Sequence, residues 1–249
     1  MQKTILEVKD LRKKFSSGKN LVNALEGINF EVKEGEVFGI LGPNGAGKST
    51  TLNILIGLIT PSAGTIQIFG KDFFTNESEL KNRMNIATAY ADLANNLTVY
   101  RNLKIFAMLY GVKDYDKTID SLLSQFRITE LKNKRVDSLS AGQKTRVNLC
   151  KSLINDPDLL LLDEPTASLD PAIAAEVREI LREIKKRKNI TIIFTSHNMP
   201  EVEEMCDRVA LLHKGKIYRI DTSENLKTLM NVPSMEKVFI KLANEELDL

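Results

Sequence analysis

Val37-Phe38-Gly39-Ile40-Leu41 runs without a break into Gly42-Pro43-Asn44-Gly45-Ala46-Gly47-Lys48-Ser49. The first five residues are apolar and rich in strand formers, the composition of a strand buried on both faces. The next eight fit Gly-x-x-x-x-Gly-Lys-Ser, a pattern that works only between a strand and a helix. Its glycines let the backbone take positive φ and turn N–H groups inward around phosphate oxygens. Lys48 adds a cation and Ser49 a hydroxyl able to ligate Mg2+. The helix expected from Gly47 to about Gly57 adds free N–H groups and its dipole.

Outward from this loop, short strands alternate with amphipathic helices, as in an α/β sandwich. Leu6–Leu11 and Ile28–Val32 alternate like strands, and Gly64–Gly70 is a strand with glycine at both ends. Leu159–Leu162 and Ile190–Phe194 are continuous apolar runs, the pattern of buried parallel strands. Between those two runs, Asp170-Pro171 opens a helix whose Ile173, Val177, Ile180, Leu181 and Ile184 recur at helical spacing. The stretch from about Val99 to Ile154 has helical periodicity and polar turns, and reads as a helical insertion. From about Asn231 the chain is a short mixed tail with no role assigned.

Two further segments carry chemistry. Leu159-Leu160-Leu161-Leu162 ends in Asp163-Glu164. Asp163 at the strand's end is placed to hold Mg2+, and Glu164 to polarise an attacking water as a general base. Leu139-Ser140-Ala141-Gly142-Gln143 precedes a helix expected over Lys144–Ile154; Ser140 is a good N-cap and Gly142 allows close backbone approach. That makes a second helix N-terminus able to receive an anion, this time without a lysine.

Composition excludes several classes. Lys and Arg number 35 against 33 Asp and Glu, and the net charge of +2 argues against a dedicated nucleic-acid binder. Cys150 and Cys206, in segments that read as helices, lie in no CxxC pair or Cys/His cluster and are expected as free thiols. The reducing compartment they suit is the cytoplasm. Met1–Phe15 has no signal-peptide core, and the longest nearly apolar stretch, Leu52–Ile59, falls far short of the ~20 residues that span a bilayer. Any membrane step would need spans from another polypeptide. With 43% hydrophobic residues the chain can fold around its own core without disulfides or metals.

Taken in order, Gly42–Ser49, Leu139–Gln143, Leu159–Glu164, Ser168-Leu169-Asp170 and His197 resemble the Walker A, signature, Walker B, D-loop and H-loop of the ATP-binding cassette family. The resemblance covers about Ile5 to Asp221. It implies a P-loop NTPase core of the ABC type, with an antiparallel β-subdomain and a helical subdomain. One ATPase domain would occupy 1–230, its α/β core about 1–85 and 156–222 and its helical insertion about 90–155, followed by the tail 231–249. ATP would be held by Phe15, stacked on adenine, and by Gly42, Asn44, Gly45, Gly47, Lys48, Ser49 and Thr50. A second cassette, facing head to tail, would contribute Ser140, Ala141, Gly142, Gln143 and Asp170 in trans. Lys48, Glu164 and His197 would be catalytic, His197 contacting the γ-phosphate, with Mg2+ on Ser49 and Asp163. His213, in Leu212-His213-Lys214-Gly215, is expected as an exposed turn residue.

The pattern is broken at two positions. Ala141 stands where the family has glycine, and no glutamine occurs from Thr75 to Lys117, although one is expected at Ala89. Asp92 is the nearest side chain that could reach in its place towards Mg2+ or its water. Functionally the resemblance points to the ATP-hydrolysing subunit of a transporter, peripheral on the cytoplasmic face of the membrane and driving a separate permease. Ser196-His197 followed by Glu201-Val202-Glu203 and Cys206-Asp207-Arg208-Val209 is similar to single-cassette exporters. The alternatives are a soluble cassette ATPase of the scaffold or assembly type, and a regulatory ATP-binding module with little turnover.

Overall fold

The computed structural model describes residues 3–17, 20–88, 93–167 and 169–244. Ala89, Asp92 and Ser168, singled out above, lie outside these. The chain divides into two compact bodies, one from Met1–Lys81 with Thr191–Leu249 and the other from Asn82–Ile190.

The first body opens with β1 (Thr4–Ser17) and β2 (Asn20–Lys33), a long antiparallel ribbon. Both strands extend well beyond the short alternating stretches the sequence displays. Register shifts around Leu11 and Lys13 break the period-two pattern, so the distal half does not announce itself. Next come β3 (Val37–Leu41), α1 (Lys48–Leu55), β4 (Ala63–Ile68), the two-residue β5 (Lys71–Asp72) and α2 (Glu77–Lys81). β2, β1, β4 and β5 lie side by side in that order, all antiparallel. Leu6, Val8, Ile28, Phe30, Ile66 and Ile68 supply their buried face.

The second body begins with β6 (Met84–Thr88) and continues through α3 (Val99–Leu109), α4 (Tyr115–Gln125) and α5 (Ala141–Ser152). Two single 3-10 turns, at 129–131 and 136–138, connect α4 to α5. β7 (Leu159–Asp163) then pairs parallel with β6, and α6 (Pro171–Lys188) closes the body. α6 begins where the sequence predicts. The Asp170 side chain accepts from the amides of Ala172 and Ile173 at 3.1 Å each, Pro171 follows, and Asn189 in the left-handed conformation stops the helix.

The chain returns to the first body with β8 (Thr191–Thr195), α7 (Met199–Met205), β9 (Arg208–His213), β10 (Lys216–Asp221), α8 (Ser223–Leu229) and α9 (Met235–Ala243). β3 is parallel to both β8 and β9, with β10 antiparallel on the outer side of β9. Every residue of β3 and β8 is buried, so the phosphate loop leaves from a strand shielded from solvent on both faces. Leu226 of α8, Met230 just past it, and Met235, Val238 and Leu242 of α9 join Leu41, Val202, Val209 and Leu211 in one apolar cluster. The tail that had no evident role in the sequence is thus part of this body's core. Among the described residues, no helix is long and apolar enough to cross a membrane.

Candidate nucleotide site

The phosphate loop is shaped by its neighbours. Gly42 is buried with no room for a side chain, since a Cβ there would lie 2.0 Å from the carbonyl oxygen of Leu212. Gly47, at φ 112°, is the N-cap of α1 and supplies no capping side chain, so that group's place at the helix start is left to whatever sits in the loop. Around Gly45, by contrast, a Cβ would meet nothing within 4 Å. Lys48 is 7% exposed and bends back over the loop. Its ammonium donates to the carbonyl of Gly42 at 2.7 Å and of Pro43 at 3.2 Å. Asn44 and Ser49 are exposed and Thr50 is half-buried, while the Thr51 hydroxyl donates to the Gly47 carbonyl at 2.9 Å. The loop therefore brings a cation, backbone amides and an exposed hydroxyl together in eight residues, a set suited to phosphate oxygens.

Two more predicted residues sit in this body. Phe15, on β1 opposite Val22, is 39% exposed, and Lys13 Nζ stands 4.9 Å from its ring centroid. His197 is exposed in the three-residue link from β8 to α7. His213 corrects an expectation: it is the last residue of β9, not an exposed turn residue, and is 6% exposed. The turn proper falls on Lys214 and Gly215, both at positive φ, and the His213 ring faces Tyr218 at 6.1 Å between centroids.

The second body carries the other predicted residues. Asp163 ends β7 in register with Thr88, and Glu164 follows at φ 50°. A non-glycine residue in the left-handed region costs about 1 kcal/mol or more and collects at functional positions. The Glu164 carbonyl accepts from the amide of Ala167 at 3.2 Å, closing a tight turn beyond the strand.

The helix after Leu139 begins at Ala141, three residues earlier than the sequence suggests. Ser140 and Gln143 form a reciprocal cap: the Ser140 hydroxyl accepts from the Gln143 amide at 3.3 Å, and the Gln143 side chain accepts from the Ser140 amide at 3.0 Å. The Ser-x-x-Gln spacing is the readable signal for it. A Cβ on Gly142 would meet only Leu169 Cδ2 at 3.3 Å and Ile173 Cδ1 at 3.7 Å. Packing within the chain thus places only a mild demand for glycine there. Cys150 is buried and Cys206, just past α7, is half-buried; neither forms a disulfide.

A phosphate loop between a central parallel strand and a helix, in an α/β body, defines a P-loop NTPase. The profile described as ABC transporter matches residues 25–167. The bacitracin transport ATP-binding protein BcrA of Bacillus licheniformis is 37% identical over 90% of this chain and 72% of its own length. One other curated relative is much longer, and the chain spans 42% of it. A solved ATP-binding subunit of an ABC transporter superposes with a TM-score of 0.85 at 28% identity, covering 96% of this chain and 99% of that one. The ATP-binding cassette MJ0796, in a dimeric post-hydrolysis state bound to ADP and Pi, matches at TM-score 0.80 and 26% identity over 88% and 98% of the two chains. The chain belongs to the ABC transporter family, and it is an ATPase of the cassette type.

Proposed function

We propose that this chain is the ATP-hydrolysing subunit of an ABC exporter, working from the cytoplasmic face of the membrane on a separate transmembrane permease. The single observation that carries the reading is the phosphate loop, with Lys48 folded over it and an uncapped helix start beneath. Residues 1–230 act as one ATPase domain. Two copies, or two related chains, close head to tail around two ATP molecules, and the relatives' dimeric cassettes support that arrangement.

In this reading Phe15 stacks on the adenine. Gly42, Asn44, Gly45, Gly47, Lys48, Ser49 and Thr50 surround the phosphates. Ser140, Ala141, Gly142, Gln143 and Asp170 of the opposite cassette complete the pocket. The mild packing demand on Gly142 supports this, because a glycine little needed inside its own chain suits close approach by a ligand held elsewhere. Glu164 takes the proton from the attacking water and His197 contacts the γ-phosphate, while Lys48 balances charge that builds on the phosphate oxygens.

Cassettes of the family use Mg2+ with ATP. Among the described residues no group of three or more His, Cys, Asp or Glu is gathered for a metal. Mg2+ fits nonetheless, since it needs only one or two protein oxygens beside phosphates and waters. The family resemblance assigns these to the hydroxyl of Ser49, which is exposed, and the carboxylate of Asp163, which ends β7. Bound there, the ion would neutralise phosphate charge and orient the terminal group.

Purification with the membrane fraction tests the whole reading. A multi-span protein should co-purify, and the complex should hydrolyse ATP at a rate that Lys48→Ala abolishes. A chain that hydrolyses ATP but never travels with a membrane protein would be a non-transport cassette.

A further inference from the structure

We infer that Glu201, through Ser196, is a positioning residue for His197. The inference rests on the reading of His197 as the γ-phosphate contact.

β8 ends at Thr195 and α7 begins at Met199, so His197 is the middle of a three-residue link. Both residues beside it are tied to one hydroxyl. Ser196 Oγ donates to Glu201 Oε2 at 2.6 Å and accepts from the amide of Asn198 at 3.0 Å. The peptide units on either side of His197 are thereby held together, while the imidazole itself stands exposed. A short link pinned at both ends leaves the side chain few directions to point.

Glu201 is an unusual choice for this buried place unless its oxygen is used as an acceptor. It is 1% exposed, and Ser196 is 3% exposed. A carboxylate removed from water costs free energy unless hydrogen bonds replace its hydration. An apolar residue in the first turn of α7 would pack there without that cost. At 2.6 Å the bond from the Ser196 hydroxyl to the Glu201 carboxyl oxygen is at the short end of the O–H···O range. It also fixes the direction of the hydroxyl: with its proton given to Glu201, the oxygen lone pairs are left for the Asn198 amide. Glu201 therefore sets the polarity of the contact that locks the link.

Steady-state ATPase kinetics on the purified protein test this, with melting temperatures recorded alongside. Glu201→Ala should lower kcat about tenfold, as misplacement of a contact group does, with KM for ATP changed less than about twofold. Ser196→Ala, which removes a single oxygen, should reproduce that loss and guards against misfolding of the first variant. Glu201→Gln keeps an acceptor for the hydroxyl and should restore more than half of kcat. The double variant Glu201→Ala with His197→Ala should be no slower than His197→Ala alone, because the pair acts as a unit. A loss that multiplies in the double variant, or one carried by KM, overturns the inference. Slow turnover in His197→Ala beside normal turnover in Glu201→Ala overturns it while leaving His197 in place. Normal turnover in His197→Ala removes the role of His197 and this inference together.

Discussion

The amide of Gly215 donates to the carbonyl of Ala46 at 2.9 Å, and the carbonyl of Gly215 accepts from the amide of Glu26 at 2.8 Å. One turn residue thus ties the phosphate loop on one side to β2 on the other. The nearby carbonyl of Leu212 sets the wall against which Gly42 packs. The shape of the loop is therefore dictated by a hairpin some 170 residues later in the chain as much as by its own glycines.

Gly215→Val tests that dependence. Gly215 sits at φ 74°, and a Cβ would come within 2.8 Å of the Ala24 carbonyl oxygen and 3.0 Å of Leu25 Cα. The left-handed conformation alone costs a side chain about 1–2 kcal/mol, and backbone neighbours cannot swing aside. The turn should shift and release Ala46. Titration with a fluorescent ATP analogue should show affinity about tenfold weaker, for roughly 1.4 kcal/mol lost at the loop. An unchanged affinity would show that the loop holds its shape without the hairpin.

Cys150 gives a prediction on pH. Burial pushes its thiol well above the ordinary value of 9.0, because the thiolate cannot be solvated inside α5. The folded state holds the proton where the unfolded chain releases it. Stability linked to this group is full below about pH 9 and declines as pH rises further. A thiol reagent at pH 8 should leave Cys150 untouched in the native protein and modify it in denaturant. Peptide mapping after labelling distinguishes it from Cys206, and rapid native labelling at Cys150 would contradict the burial.

The chemistry-bearing segments were legible because each is local. The phosphate loop, the Asp163-Glu164 strand end and the Asp170-Pro171 helix start are set by residues adjacent in sequence. What stayed hidden depends on distant contacts. The distal half of the β1–β2 ribbon lacks alternation because its register shifts. The burial of His213 follows from where the turn falls, which two positive φ angles at Lys214 and Gly215 decide. The early start of α5 was readable, since Ser140 and Gln143 stand at capping-box spacing. The role of α9 in the core was not, because Met235, Val238 and Leu242 gain meaning only against α7 and β9.

Ser140→Arg addresses the contribution in trans. Ser140 is exposed and caps α5, so any substitution that loses the hydroxyl costs about 1 kcal/mol at the helix end. Ser140→Ala carries that cost alone, whereas Ser140→Arg adds bulk and charge where a partner's γ-phosphate would lie. Monomers of both variants should bind ATP through Lys48 and Phe15. Gel filtration with ATP should give a dimer for Ser140→Ala and none for Ser140→Arg. A dimer in the arginine variant would sink the two-chain site.

Glu164→Gln isolates the chemistry at the strand end. Glu164 holds a left-handed φ of 50°, and glutamine has the same size and the same backbone cost there, so the turn should keep its form. The carboxamide, however, cannot take a proton from water at neutral pH. Loss of a general base typically costs 10²–10⁴-fold in rate, so turnover should fall by at least about a hundredfold while ATP binding persists. Because hydrolysis is what reopens a closed cassette pair, the variant should accumulate as an ATP-bound dimer, seen by light scattering with ATP and absent with ADP. Glu164→Gly is the control for strain. Glycine adopts this φ freely, so that variant should be inactive yet melt no lower than the glutamine form by more than about 1 kcal/mol of backbone entropy. Near-normal turnover in Glu164→Gln would take the proton-accepting role away from Glu164 and leave its strained backbone without a chemical reason.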